Sequence, residues 1–339
     1  MPRMLRQRRL PACADRADRG KRAELRSNGE GGLARILIGL ALYQGGEHVA
    51  AQLDSIARQT HSDWRLVVSD DGSCDAGPEI VRAFAASRPA GQVQLIEGPK
   101  AGATRNFLSL IAEAQPDEFM AFADQDDVWH DDKLARAIGI LNGDHGLGLY
   151  CARTTICDAD LRPLTASRRF SGPFGFRNAL IQAVTPGNTL LLPPATVALA
   201  QRAAPAAAAA GIESHDWWLY QLVTGAGYPI YRDDAEVLLY RQHGDNLKGR
   251  NDTLPAMRAR LWQLFTGDYG AWLHENVAAL SAVEEELTEE NRALLRRFAE
   301  ALTRHRSATA LARLRLRRQT LPGTVAFYLA AMSGAFRRG

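Results

Sequence analysis

The stretch Phe122-Ala123-Asp124-Gln125-Asp126-Asp127-Val128-Trp129, preceded by Phe119-Met120-Ala121, decides how the chain is read. A short apolar run that stops abruptly at alternating carboxylates has the pattern of a buried strand ending at a working surface. Residues i and i+2 of an extended chain point the same way, so Asp124 and Asp126 can present oxygens to one centre. Two carboxylates held that close repel unless positive charge stands between them, and the simplest such charge is a hard divalent cation, Mg²⁺ or Mn²⁺. A cation bound by one or two carboxylates keeps positions for water and phosphate oxygens. The same residues also read as a solvated acidic turn before a helix that starts near Asp131, which for an isolated D-x-D is the commoner case. The rest of the chain has to choose between the two.

Upstream, the run Ile36-Leu37-Ile38-Gly39-Leu40-Ala41-Leu42 suits a strand buried on both faces of a parallel sheet. Val49, Leu53, Ile56 and Ala57 then recur at helical spacing as far as Gln59-Thr60. A second strand from Trp64 to Ser69 runs into Asp70-Asp71-Gly72-Ser73, a helix covers Pro78 to Ser87, and Val93 to Ile96 is a third strand. A helix from Ala103 to Ala114 leads to the strand that ends at the acidic cluster. Such alternation predicts an α/β fold with a doubly wound, mostly parallel sheet, whose ligands gather beyond the carboxyl ends of the strands. At those ends stand Tyr43, Asp70-Asp71, Gly98-Pro99-Lys100 and Asp124 to Asp127. They suit a nucleotide: Asp71 accepts from a base N–H, Tyr43 stacks on its ring, Lys100 or Arg105 meets phosphate oxygens, and Asn106 bonds nearby. Singly, each is also ordinary turn, cap or helix-surface chemistry. Their joint placement on one rim favours a ligand. No G-x-G-x-x-G follows the first strand and no G-x-x-x-x-G-K-[ST] occurs, which disfavours dinucleotide oxidoreductases and P-loop NTPases.

With 339 residues, 46% hydrophobic and 23% charged, the composition is that of an ordinary globular protein with room for an appendage. The net charge of +3 is unevenly spread. Residues 1–34 carry nine Arg and Lys from Arg3 to Arg26, lack apolar periodicity and read as a disordered basic tail. No aromatics interleave those arginines, so nucleic acid is not the expected partner. The apolar run at Ile36 leads to no small-residue cleavage site, which disfavours a signal peptide. Cys13, Cys74, Cys151 and Cys157 form no C-x-x-C pair and read as reduced thiols of a cytoplasmic protein.

At this point the residues carry a resemblance. Residues 35–250 resemble a family 2 glycosyltransferase of the GT-A fold, in the bacterial rhamnosyltransferase-like branch. The matching segments are Tyr43-Gln44-Gly45-Gly46-Glu47, Gln52-Leu53-Asp54-Ser55-Ile56 with Gln59-Thr60, Ser69 to Ser73, Phe122 to Trp129 and Asp132-Lys133-Leu134. Further on come Pro186-Gly187-Asn188-Thr189, His215-Asp216-Trp217-Trp218 and Tyr240-Arg241-Gln242-His243-Gly244. Gln44 stands where Asn is commoner in similar enzymes, and Cys74 where Thr is.

The resemblance implies an inverting transfer of rhamnose or a hexose from dTDP-rhamnose or a UDP-hexose to a glycan or lipid-linked acceptor in cell-surface polysaccharide synthesis. Asp126, supported by Asp124, would hold Mg²⁺ or Mn²⁺ against the donor diphosphate. Asp216, which opens a helix whose dipole favours the ionised carboxylate, would be the general base; as a residue it reads equally as a helix cap. His243 would be a third metal ligand and Arg241 a diphosphate contact. Asn188 would line the acceptor side, and one of Trp217 and Trp218 would offer a face to a sugar ring while the other anchors the core.

Residues 251–339 differ in character. Amphipathic helices are expected around Arg258 to Phe265 and from Trp272 to Leu287, followed by nine arginines between Arg292 and Arg318 and an apolar stretch from Leu321 to Phe336. That stretch is too short to span a bilayer. It suits either a helical appendage with a solvated basic face or a region lying peripherally on the cytoplasmic face of the inner membrane. Two other classes use similar parts: a sugar-phosphate nucleotidyltransferase, which should carry a glycine-rich basic loop where Tyr43 to Glu47 stands, and a non-catalytic binding protein, which has no need of Asp124, Asp126 and Asp216 together.

Overall fold

Strand β1 (Ile36–Leu42) contains no polar residue and lies inside the sheet, with both faces covered. The computed structural model describes residues 34–242, 264–265, 267–304 and 307–336. Parallel to β1 run β2 (Trp64–Asp70) on one side and β4 (Phe119–Asp124) on the other, with β3 (Val93–Glu97) outside β2. Helices α1 (Val49–Ala57), α2 (Gly77–Ala86) and α3 (Ala103–Ile111) make the crossovers. Register levels the carboxyl ends: Ala41 pairs with Asp124, Leu42 with Asp70, and Asp70 with Glu97. The loops after these strands therefore share one rim.

Beyond β4 the sheet becomes mixed. Its order is β3-β2-β1-β4, then β8 (Leu191–Leu192), β6 (Leu149–Cys157), β9 (Ile230–Arg241) and β5 (Val128–Trp129), with β7 (Pro163–Ala166) beside β6. β8 is antiparallel to β4 and to β6, β9 is parallel to β6, and β5 is antiparallel to β9. The expected doubly wound α/β architecture with C-terminal helices is formed, and its parallel character lies in β3-β2-β1-β4 and β6-β9.

Alternate residues of β1 feed two cores. Ile36, Ile38, Leu40 and Leu42 pack with Leu53, Ile56 and, from α4 (Lys133–Gly143), Leu134 and Leu141. Leu37 joins the other core with Phe107 of α3, Phe176 of α5 (Phe176–Ala179), Leu199 and Ala203 of α6 (Pro194–Ala210), and Trp218 and Leu222 of α7 (His215–Gly225). That second core continues into α8 (Asp268–Ser281), α9 (Glu289–Thr303), α10 (Ser307–Arg313) and α11 (Leu321–Ser333) through Leu273, Phe298, Leu311 and Phe327.

The helix expected over 272–287 starts earlier and ends at Ser281, and Glu284–Glu286 forms a 3-10 turn. The helix expected around Arg258 lies outside the described residues, apart from Leu264 and Phe265 in a turn. Among the described residues no helix is long and apolar enough to cross a membrane.

Candidate active site

The rim is built on backbone clamps. Tyr43 follows β1 and is 57% exposed, and the Gln125 side chain fixes its backbone: Oε1 accepts from Tyr43 N–H at 2.8 Å and Nε2 donates to Tyr43 C=O at 2.9 Å. A Cβ at Gly45 would stand 2.4 Å from Gln125 Oε1, so only glycine lets the two loops approach this closely. The 70–73 loop is attached to the same edge, since Ser73 Oγ accepts from Gln44 N–H at 2.9 Å and Asp70 Oδ1 from Ser73 N–H at 3.0 Å.

Asp71 is largely buried, and its carboxylate gathers the 100–102 loop by accepting from Lys100 N–H at 2.6 Å and Gly102 N–H at 2.7 Å. A carboxylate has further lone pairs, so this leaves acceptor capacity for a base. Lys100 is exposed beside Gly72, whereas Arg105 is exposed on α3 with no ion pair among the described residues. Asn106 departs from expectation. It is 1% exposed and its Nδ2 donates to Ser69 C=O at 2.8 Å, which ties α3 to β2, while its Oδ1 has no partner among the described residues.

Asp124 ends β4 and Asp126 lies in the turn that follows, both partly buried. Asp127 is fully buried: Oδ2 accepts from Asn188 Nδ2 at 2.6 Å, while Oδ1 has no partner among the described residues. Burial and the charges of Asp124 and Asp126 push the Asp127 carboxyl well above the usual range, against the Asn188 hydrogen bond and the Lys133 charge. Lys133 is 2% exposed, with Nζ donating to Asn188 C=O at 2.7 Å and lying 3.1 Å from the centroid of the Trp129 ring. Burial pulls its pKa well down, opposed by Asp127 and Asp124. Asn188 was expected on the acceptor side; instead its side chain is spent on Asp127, because the turn that carries it packs under the acidic stretch. Helix α1 and the turn after it hold the exit of that stretch with buried polar residues: Ser55 Oγ accepts from Trp129 N–H at 3.0 Å, and Gln59 donates to His130 C=O and accepts from Leu134 N–H.

Asp216 is the one residue of α7 that is not buried. Its Oδ1 accepts from Ser214 Oγ and from Trp217 N–H, which orients the carboxylate in the helix's first turn. The preceding His215 stacks on Phe107 at 4.2 Å between centroids. A Cβ at Gly187 would lie 2.9 Å from His215 Nε2 and 3.4 Å from Asp216 Cβ. The Gly187-Asn188 turn thus lies between the two elements: Asn188 bonds Asp127, and Gly187 packs so near the start of α7 that it has no room for a side chain. Neither tryptophan offers a face to a sugar: Trp217 is 4% exposed, stacks on Tyr269 and donates Nε1–H to Ala179 C=O, and Trp218 is 0% exposed in the core. Arg241 is mostly buried and braces the acidic turn, donating Nε–H to Asp126 C=O at 3.0 Å and Nη1–H to Ala159 C=O. His243 lies outside the described residues.

The donor set suits a hard cation, with carboxylates at 124, 126 and 127 and an orphaned buried oxygen on the last. Among the described residues no three His, Cys, Asp or Glu side chains close around a common point. A cation held by Asp124 and Asp126 would have positions open to phosphate oxygens and water. A surface depression of about 540 Å³ lined by Arg58, Trp129 and Asp131 lies beside β5 and contains none of these carboxylates.

Residues 38–199 match the family model described as Glycosyl transferase family 2. The chain is 29% identical over 228 residues to a dTDP-rhamnosyl transferase, RfbG, of Shigella flexneri, covering 66% of this chain and 78% of that protein. It is 28% identical over 106 residues to the UDP-Glc:alpha-D-GlcNAc-diphosphoundecaprenol beta-1,3-glucosyltransferase WfgD of Escherichia coli, covering 31% of this chain and 40% of that one. Among solved structures, the mannosyltransferase PcManGT of Pyrobaculum calidifontis, in complex with GDP-Man and Mn²⁺, aligns over 89% of this chain and 86% of its own, at 17% identity and a TM-score of 0.47.

Proposed function

The chain belongs to the family 2 glycosyltransferases, and from that premise we propose that it transfers a sugar, with inversion, from a nucleotide-diphosphate donor to a hydroxyl of a glycan or lipid-linked oligosaccharide. dTDP-rhamnose is the donor to try first and a UDP-hexose the second, in line with what the two relatives are named for. The reaction belongs to polysaccharide synthesis at the cytoplasmic face of the inner membrane. Residues 35–250 form the catalytic domain, residues 251–339 a helical appendage, and residues 1–34 a basic tail.

The observation that carries the proposal is Asp216, the one residue of α7 that is not buried, which stands next to the Gly187-Asn188 turn whose asparagine bonds Asp127 at the end of the acidic stretch. Tyr43 stacks on the base and Asp71 accepts from its N–H. Lys100 and Arg105 supply positive charge for the phosphates. Asp124 and Asp126 would hold Mg²⁺ or Mn²⁺, which when bound would supply charge stabilisation for the departing nucleoside diphosphate. Arg241 keeps the Asp126 turn in place and adds positive charge beside it. Asp216, with Oδ1 oriented by Ser214 and the Trp217 N–H, takes the proton of the acceptor hydroxyl as the hydroxyl oxygen attacks the anomeric carbon from the face opposite the leaving group. A single displacement of this kind inverts the anomeric centre.

The test is transfer from dTDP-rhamnose and from UDP-glucose to a diphosphoundecaprenol-linked sugar, with Mn²⁺ or with chelator, and NMR assignment of the product anomer. Metal-dependent transfer with an inverted anomer is expected. Transfer with retention, or undiminished transfer under chelation, would refute the mechanism.

A further inference from the structure

Helix α11 is apolar on both its buried and its exposed sides. Gly323, Phe327, Ala330 and Ala331 are buried against the protein. On the other side Leu321 is 77% exposed, Val325 49%, Leu329 51% and Met332 66%. Steps of four, four and three residues put these side chains on one stripe. The helix contains no charged residue. Its ends are set by Thr320, whose Oγ1 accepts from Gly323 N–H, and by Gly334 in the left-handed region. Thirteen residues rise roughly 20 Å, too little for the roughly 30 Å of a bilayer core.

The chain just before the helix runs alongside it: Tyr328 Oη donates to Leu316 C=O at 2.9 Å and Thr324 Oγ1 accepts from Arg318 N–H at 3.0 Å. That segment carries Arg315 and Arg317, with Arg313 at the end of α10, all three exposed. Neighbouring arginines are already engaged. Arg296 pairs with Glu284 and Arg304 with Glu300, Arg292 donates to main-chain carbonyls, and Arg318 donates to Ile181 C=O and Tyr269 Oη. Among the described residues no carboxylate pairs with Arg313, Arg315 or Arg317. Arg313, Arg315 and Arg317 thus place positive charge that no carboxylate pairs with, among the described residues, beside the uncovered apolar stripe.

We propose that this face lies on an anionic lipid surface, with Leu321, Val325, Leu329 and Met332 at the acyl boundary and Arg313, Arg315 and Arg317 among the headgroup phosphates. The lipid-linked acceptor proposed above would give the contact its purpose, and in that respect the inference rests on that reading; the contact itself stands on the helix and its arginines. Flotation of the full chain with phosphatidylcholine vesicles, with and without phosphatidylglycerol, tests it. The chain should float with the anionic vesicles and be released by salt. Val325→Glu with Leu329→Glu should lower the bound fraction more than about tenfold. Each of Arg315→Gln and Arg317→Gln should weaken binding about fivefold at low salt. All these positions face solvent, so melting temperature and hydrolysis of the sugar nucleotide in lipid-free solution should be unchanged. That hydrolysis reads the enzyme independently of the membrane contact. Equal flotation with neutral and anionic vesicles would overturn the proposal, as would anionic binding unchanged by the glutamates. A dimer in sedimentation that the glutamates split would also overturn it and make the stripe a contact between copies.

Discussion

Glu118, just before β4, and Asp127, just after its acidic end, are both buried carboxylates, yet their surroundings are opposite. Glu118 receives two bonds from Arg65 at 2.7 Å and one from Gln115 N–H at 2.8 Å, with Arg35 at 3.6 Å. Burial pushes its carboxyl up, but these donors and charges outweigh burial and hold it below the usual range. Asp127 has one donor, an orphaned oxygen and two carboxylates beside it. One end of the strand is electrostatically settled and the other is not. In an open parallel sheet the unsettled end is the carboxyl end, where loops meet and ligands bind.

The largest expected effect breaks the unsettled end. Asp126→Ala should lower transfer by ~10³-fold or more, since several kcal/mol of charge stabilisation is removed. Asp216→Asn should cost about 10²–10⁴-fold. Urea unfolding of both variants should stay within about 0.5 kcal/mol of the parent, as neither position is in the core. The settled end should respond in the opposite way. Glu118→Gln strands Arg65 in the interior and should cost about 3–5 kcal/mol of stability in urea unfolding, with turnover per folded molecule unchanged. A smaller effect comes from Gly45→Ala. Its new Cβ collides with Gln125 and opens the clamp on Tyr43, which should raise KM for the donor with a stability loss of about 1 kcal/mol.

Much of this was legible in the sequence. Of the four parallel strands, β1 and β4 are continuous apolar runs and β2 and β3 are largely apolar, and each stops at a polar turn, so the rim and the place of Asp124 and Asp126 on it could be read directly. The second half was harder because its partners are distant in sequence. Asn106 and Asn188 look like ligand residues until Ser69 and Asp127, far away along the chain, take their amides. Lys133 and Gln125 gave no local signal of their roles, since the groups they hold come from Asn188 and Tyr43. Trp217 and Trp218 sit on a helix buried on every side but one, and His215-Asp216-Trp217-Trp218-Leu219 already lacks the polar stripe of a surface helix. That missing stripe was the available clue.

The gentlest test of the comparison is pH. Glu118 contributes stability that is present above its unfolded pKa of about 4.3 and is lost as the pH falls through its lower folded value. Asp127 binds its proton more tightly folded than unfolded, so in metal-free protein it costs stability as the pH rises past about 3.9 toward its raised folded value. Glu118→Gln should flatten the loss on the acid side. Asp127→Asn should remove the decline toward neutrality and raise metal-free stability by about 1 kcal/mol at pH 7.

The site at the unsettled end is tested most directly by calorimetric titration of dTDP and UDP into the full chain, with and without Mn²⁺, beside the Asp126→Ala variant. Nucleotide binding that needs Mn²⁺ and weakens about tenfold or more in the variant, at least 1.4 kcal/mol, is the expected result. Binding of equal strength without metal and in Asp126→Ala would contradict the assignment of the acidic stretch to the donor.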